Sequence, residues 1–322
     1  MKRKIYVPPI KTQGIKTKLV EWIIDQVNFE IKGRWIEPFM GSGVVGFNLQ
    51  PKRAIFADKN PHIINFYNAI KNREITSQKV RIFLETEGKK LLEKGEEYYY
   101  EVRNRFNKYH DPLDFLFLNR SCFNGVIRFN SKGEFNTPFG RKPDRFRKAY
   151  ITKIVNQVKY VEDCIHKYDW IFIAQDFRKT IKEANQDDVI YCDPPYIGRH
   201  TNYYDIWTEK DEYDLYKLLS EFKGKFILST WYKNQHRENE YIRKFWNKFS
   251  IITKNHFYHV GGKEINRNPV IEALVLNFEP NNIKEAKNEG GKSMNLSFCY
   301  LNLEVNLGGV RNSLYVYKHI SF

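Results

Sequence analysis

A short apolar run, RWIEPF at 34–39, passes directly into GSGVVGFNL, and a second run, RAIFAD at 53–58, follows and ends in an acid. Few chain geometries accommodate this order. The glycines allow a tight strand-to-helix turn, the intervening helix crosses over, and the second strand returns beside the first in the same direction. Asn60 is placed to cap a further helix running through INFYNAI. The rhythm predicts an α/β fold with a parallel, doubly wound sheet. An amphipathic helix over 16–27 precedes it.

Residues 77–118 carry no strand signal and read as helices, including SQKVRIFLETEGKKLL and DPLDFLFL. The character changes between 119 and 148. VIRFN and EFNTPF flank a Ser131-Lys132-Gly133 turn, which predicts a β-hairpin. Basic side chains outnumber acidic ones there by about four to one, an asymmetry suited to a polyanion. Strands resume at WIFIAQ (170–175), DVIYC (188–192) and KFILST (225–230), with a helix at 209–222 between the last two. Residues 250–278 read as a closing hairpin with HVGGKEINRN as its loop. The expected organisation is a sheet domain of residues 1–75 and 150–280, interrupted by an insert over 76–149. A C-terminal extension, 281–322, is assigned no role.

The chain has 322 residues, 42% of them hydrophobic, and a formal net charge of +15. That is enough apolar material for a full α/β core plus an insert. The charge favours a polyanionic partner, the alternative being a merely solubilising lysine-rich surface. Cys122, Cys164, Cys192 and Cys299 form no CxxC pair, and His256 and His259 are the nearest approach to paired ligands. Neither a disulfide framework nor a metal site is expected, and reduced thiols point to the cytoplasm. The basic start has no apolar stretch behind it, so no signal peptide is expected. No apolar run approaches the roughly 18 residues of a membrane span.

Three segments carry chemistry. Glu37-Pro38-Phe39-Met40-Gly41-Ser42-Gly43 lies where backbone N–H groups and a helix start can meet a ligand. Gly41, Gly43 and Gly46 also satisfy GxGxxG in form, which keeps a dinucleotide reading open. An acid beside a pyrophosphate would be repelled, however; Glu37 suits a cationic ligand such as a sulfonium bearing an amino group. Asp58, closing the second strand, can accept ribose hydroxyls, or can simply cap a turn. The sharpest signal is Asp193-Pro194-Pro195-Tyr196, at the C-terminal end of DVIYC, where α/β sheets bind ligands. An exocyclic amine on a purine is a poor nucleophile because its lone pair is delocalised. A carboxylate and a proline carbonyl, aimed at its two N–H bonds, would localise that pair. Tyr196 offers a face for a base taken out of the stack. The reading requires that Asp193 face a cavity and not be held permanently by an internal Arg or Lys.

With these motifs in this order, the chain resembles the Dam-type (class α) adenine-specific DNA methyltransferases, including the modification enzymes of type II restriction systems. The resemblance covers roughly residues 8–278 and is most specific at Leu118-Asn119-Arg120 and FNGVIRFNSKGEFNTPFGR. It implies a Rossmann-like methyltransferase sheet with an inserted helical and β-hairpin DNA-recognition domain. The implied methyl donor is S-adenosylmethionine, with no metal. By that similarity Gly14 and Lys16 would hold the donor's methionine end, together with Glu37, Pro38, Phe39, Gly41 and Gly43. Asp58 would bind its ribose, Asp176 and Phe177 its adenine, and Asp193 through Tyr196 would form the catalytic pocket. Arg128 would read a guanine, Asn124 an adjacent base, Phe123 would wedge into the stack, and Arg141 would hold phosphate. Thr12 and Ile15 stand where many relatives carry an aromatic residue and a glycine. The implied partner is double-stranded DNA, without a membrane; a cognate restriction endonuclease would act on the same site without direct contact. The remaining alternatives are methyl transfer to RNA or to a protein glutamine, a DNA-binding protein without catalysis, and, more remotely, a dehydrogenase.

Overall fold

A computed structural model describes residues 3–197, 206–257 and 269–281. Its centre is a seven-stranded sheet: β1 (Trp35–Glu37), β2 (Arg53–Asp58), β3 (Asp169–Ala174), β4 (Val189–Cys192), β5 (Lys225–Lys233), β6 (Ser250–Phe257) and β7 (Pro269–Leu276). The order is β3-β2-β1-β4-β5-β7-β6. The first five strands are parallel and β7 runs antiparallel between β5 and β6. The chain therefore moves outward from β1 through β2 to β3, then reverses to the other side of β1. Loops leaving β1 and β4 diverge at that switch point and open a crevice at the C-terminal ends of these strands. The base of the same pair is fastened by Arg34, whose guanidinium donates to both oxygens of buried Asp188 at 3.1 and 2.6 Å.

The helices follow from local signals. α1 (Val20–Ile24) is flanked by turns, so the helix predicted over 16–27 is confined to its middle. α2 (Val44–Leu49) begins at Gly43, whose φ of 70° only glycine adopts without strain. α3 (Pro61–Lys71) starts with proline and is capped by Asn60, which accepts from the His62 N–H at 3.0 Å. The insert is built from α4 (Ser77–Lys94), α5 (Glu96–Tyr109) and α6 (Pro112–Ser121), the last capped by Asp111. α7 (Lys148–Lys167) is a twenty-residue crossover returning the chain to β3, in a stretch where no element was expected. α8 (Phe177–Lys182) and α9 (Glu209–Glu221) follow, α9 held by a capping box of Thr208 and Asp211.

Two apolar layers cover the sheet. One runs from Trp35, Phe56 and Tyr191 without a break into the insert through Phe106, Phe115, Phe129 and Phe135. The other buries Ile36, Ile190 and Phe226 under α8, α9 and a π-helical turn at Ile242–Trp246. The predicted hairpin after α6 forms as a looser loop. Phe129 and Phe135 make an isolated bridge, and the turn closes through the Asn130 carboxamide, which accepts from the Lys132 and Glu134 N–H groups. The expected closing hairpin is present as β6 and β7; its loop, His259, Cys299 and the tail from 282 lie outside the described residues. No helix among the described residues is long and apolar enough to cross a membrane.

Candidate active site

A cavity of about 630 Å³ opens at the switch point. Gly14, Lys16, Glu37, Pro38, Phe39, Gly41, Asp58, Asp176, Phe177 and the whole Asp193–Tyr196 tetrapeptide line it. These residues come from segments far apart in sequence and meet because each follows, or packs on, a C-terminal strand end. Gly43 stands behind the wall as the start of α2. Gly46, the last glycine of the formal GxGxxG, serves packing: a Cβ there would lie 2.4 Å from the Phe56 ring and 2.8 Å from Glu37 Oε1.

Glu37 is buried at the end of β1, accepting from the Trp35 indole N–H at 2.8 Å. Burial pushes its carboxyl up to about 8, against the opposing effect of bonds from Trp35 and the Gly46 backbone. Asp58 accepts from the Gly41 N–H and the Asn60 N–H, both at 2.8 Å, and so ties the glycine turn to the second strand. Asp176 caps α8, accepting from the Arg178 N–H at 2.9 Å, and the Arg178 guanidinium also reaches Asp211 and Asp214 at 2.5 and 2.8 Å. Phe39, Phe177 and Trp207 form an aromatic corner with ring centroids 5.2–5.4 Å apart. Trp207 is fixed by Glu212, which accepts from its indole N–H at 2.8 Å. Neither Trp207 nor Arg178 was singled out in the sequence; Arg178 directly follows Asp176-Phe177, while Trp207 carries no local signal.

Asp193 faces the cavity, with its side chain 22% exposed. The second requirement set by the sequence is not met as stated, since the carboxylate is bonded to an internal lysine: Lys16 Nζ lies 2.9 Å from Asp193 Oδ1, and the Lys16 side chain is 3% exposed. Lys16 additionally donates to the Gly14 carbonyl at 3.3 Å and to the Tyr196 hydroxyl at 3.1 Å. Lys16 is thus a partner of the tetrapeptide itself, a contact the sequence did not reveal. A carboxylate offers about four lone-pair sites, so an ion pair and acceptance from an amine are compatible on one aspartate. The Tyr196 hydroxyl in turn donates to Glu272 Oε2 at 3.3 Å.

The four residues singled out in the insert lie outside the cavity lining, though Ile127, between them, is part of it. Phe123, Asn124, Arg128 and Arg141 are all exposed. Phe123 is 54% exposed, unusual for a phenylalanine in so aromatic a core. Asn124 and Arg141 hold the left-handed conformation at φ 54°, a strain that sharp loop turns impose. The Arg128 guanidinium is held in one orientation by Asn136, donating to its side-chain oxygen at 2.8 Å and its carbonyl at 3.0 Å.

A family model described as D12 class N6 adenine-specific DNA methyltransferase matches residues 13–260. The DNA adenine methylase of Haemophilus influenzae is 35% identical over 217 residues, covering 60% of this chain and 71% of that protein. The type II methyltransferase M.FokI of Planomicrobium okeanokoites is 27% identical over 280 residues, 84% of this chain and 42% of that protein. The type II methyltransferase M.MjaIII of Methanocaldococcus jannaschii is 28% identical over 306 residues, 84% of this chain and 99% of that protein. With the matched region spanning β1 through β6 and both walls of the cavity, the chain belongs to the D12 class of N6 adenine-specific DNA methyltransferases.

Proposed function

We propose that this chain methylates the N6 amine of adenine at a specific site in double-stranded DNA, using S-adenosylmethionine, as the modification enzyme of a restriction system. The observation that carries the reading is the placement of Asp193–Tyr196 on the wall of a cavity that also gathers acids and aromatic rings suited to that donor. The lining fits a cationic nucleoside better than a dinucleotide. Asp58, Asp176 and Asp193 would repel a pyrophosphate, whereas they complement ribose hydroxyls and a sulfonium, and the buried Glu37 carboxyl can accept from the donor's ammonium. Bound there, the donor supplies a methyl group already activated by its positive sulfur.

The chain's own part is positioning. Gly14, Glu37, Pro38 and the turn at Gly41 hold the amino-acid end, Asp58 the ribose, and Asp176 with the Phe39, Phe177 and Trp207 rings the adenine. Asp193 and the Pro194 carbonyl accept from the two N–H bonds of the target amine, drawing its lone pair out of conjugation. Pro195 stiffens the turn, and the Tyr196 ring receives the extruded base. Lys16, bonded to one oxygen of Asp193, fixes the carboxylate in direction.

Residues 76–149 act as the target-recognition domain, and 1–75 with 150–280 as the catalytic one. Arg128, pre-oriented by Asn136, reads a guanine edge; Asn124 reads a neighbouring base; Phe123 fills the gap left by the extruded adenine; Arg141 holds phosphate. The setting is the cytoplasm, on DNA, with a cognate endonuclease sharing the site but not a contact. An exposed apolar wedge beside basic residues favours duplex DNA over RNA or protein glutamine as acceptor. Incubation with methyl-labelled donor and, separately, duplex DNA, structured RNA and protein tests this. Label is expected in the duplex, on adenine; label confined to RNA or protein would overturn it.

A further inference from the structure

We propose that Glu272 is a positioning residue for the reaction, fixing the direction of the Tyr196 ring through its hydroxyl; this rests on the reading of Tyr196 as the platform for the target base.

Glu272 lies in β7, in the run PVIEALVL, where it is the one charged side chain in an otherwise apolar strand. It is completely buried. Burying a carboxylate is strongly unfavourable unless hydrogen bonds compensate, so an acid held in the middle of an antiparallel pair needs a reason. The register supplies the geometry. Leu276 pairs with Ile227, which pairs with Tyr191, so these three side chains share one face of the sheet. Glu272 and Asp193 lie on that same face, four residues before Leu276 and two after Tyr191. Both thus point to the layer that continues into the insert, the side from which DNA would arrive.

On that face the Tyr196 hydroxyl joins two groups: it donates to Glu272 Oε2 at 3.3 Å and accepts from Lys16 Nζ at 3.1 Å. Lys16 in turn bonds Asp193. A tyrosine anchored only by its chain link could rotate about its side-chain bonds. Anchored at its far end by a buried acceptor on a different strand, the ring axis is held in one direction. The acid therefore acts on the base without touching it.

The test is a double-mutant cycle on the full chain. The variants are Tyr196→Phe, Glu272→Met, their combination, and Glu272→Gln, whose amide oxygen still accepts. Each is checked by thermal melting, then assayed for single-turnover methyl transfer to duplex DNA and for donor affinity. Each single variant is expected to lose about ten- to a hundredfold in rate with donor affinity within about twofold. The double variant should be no slower than the slower single, and Glu272→Gln should recover most of the rate. The proposal is overturned if the losses multiply in the double variant, or if Tyr196→Phe transfers at the wild-type rate. Should Glu272→Met not fold, Tyr196→Phe and 2-aminopurine fluorescence at the target position decide. A seated but reoriented base supports the proposal, and an unchanged signal with an unchanged rate overturns it. Failure of the wild type itself to methylate adenine would strike the functional reading instead, and is distinguished by that control.

Discussion

Glu37 shows how one side chain couples site and stability. An ordinary glutamate titrates near 4.5, and burial holds this one protonated up to about 8. Between those values the folded chain binds more protons than the unfolded chain, so stability falls as pH rises across the window. The slope contributed by one such group is at most about 1.4 kcal/mol per pH unit. Replacing Glu37 with Gln should therefore flatten the pH dependence of urea unfolding between pH 6 and 8; parallel curves for the two proteins would count against the assignment. Of the single residues, Asp58, Asp176 and the Asp193–Tyr196 tetrapeptide were legible as cavity-lining residues because each follows or ends a readable strand. The Lys16–Asp193 pair and the reach of Glu272 were not, since both contacts link segments that only the folded sheet brings together.

At the scale of elements, strands β1 to β5 and helices α3, α4, α6 and α9 announce themselves through apolar runs and, for α3, the cap at Asn60; the caps of α6 and α9 at Asp111 and Thr208 came from the structure. α7 did not, although Ile151, Ile154, Val155, Val158, Val161 and Ile165 form a buried helical row. It follows a basic stretch and has no capping side chain at Arg147, so nothing punctuates its start. The loop after α6 was read as a regular hairpin, but its backbone is shaped by Asn130 and by the left-handed residues Asn124 and Gly125 rather than by a strand ladder. Such a loop presents Arg128 in a fixed direction. Truncating it in Arg128→Ala should relax discrimination at one base pair by about 1–3 kcal/mol. Binding or methylation profiles across a library of variant sites would reveal this, and an unchanged preference would contradict the role.

Over the whole molecule, charge and shape answer different questions. A net charge of +15 sets how strongly the chain is drawn to a polyanion, while on the proposed function the insert and cavity set where it acts. On the proposed function, exposed Arg141 belongs to the first category. Its replacement by Ala should weaken duplex binding evenly across sequences and reduce the salt slope of log K by about one; a sequence-dependent change would place it among the base readers instead. The doubly wound sheet itself was visible from two strand-turn-helix units, but the continuity of one apolar layer from sheet to insert was not, because it depends on aromatic residues of α5, α6 and the loop meeting in space. The most direct test of the central claim, that Asp193 and its neighbours activate an adenine amine, is base-resolution mapping of methylated adenine in DNA from cells expressing the chain or its Asp193→Ala form. N6-methyladenine confined to one sequence context with the wild type, and absent with the variant, is the predicted result. The same methylation from both proteins, or none from either, would contradict it.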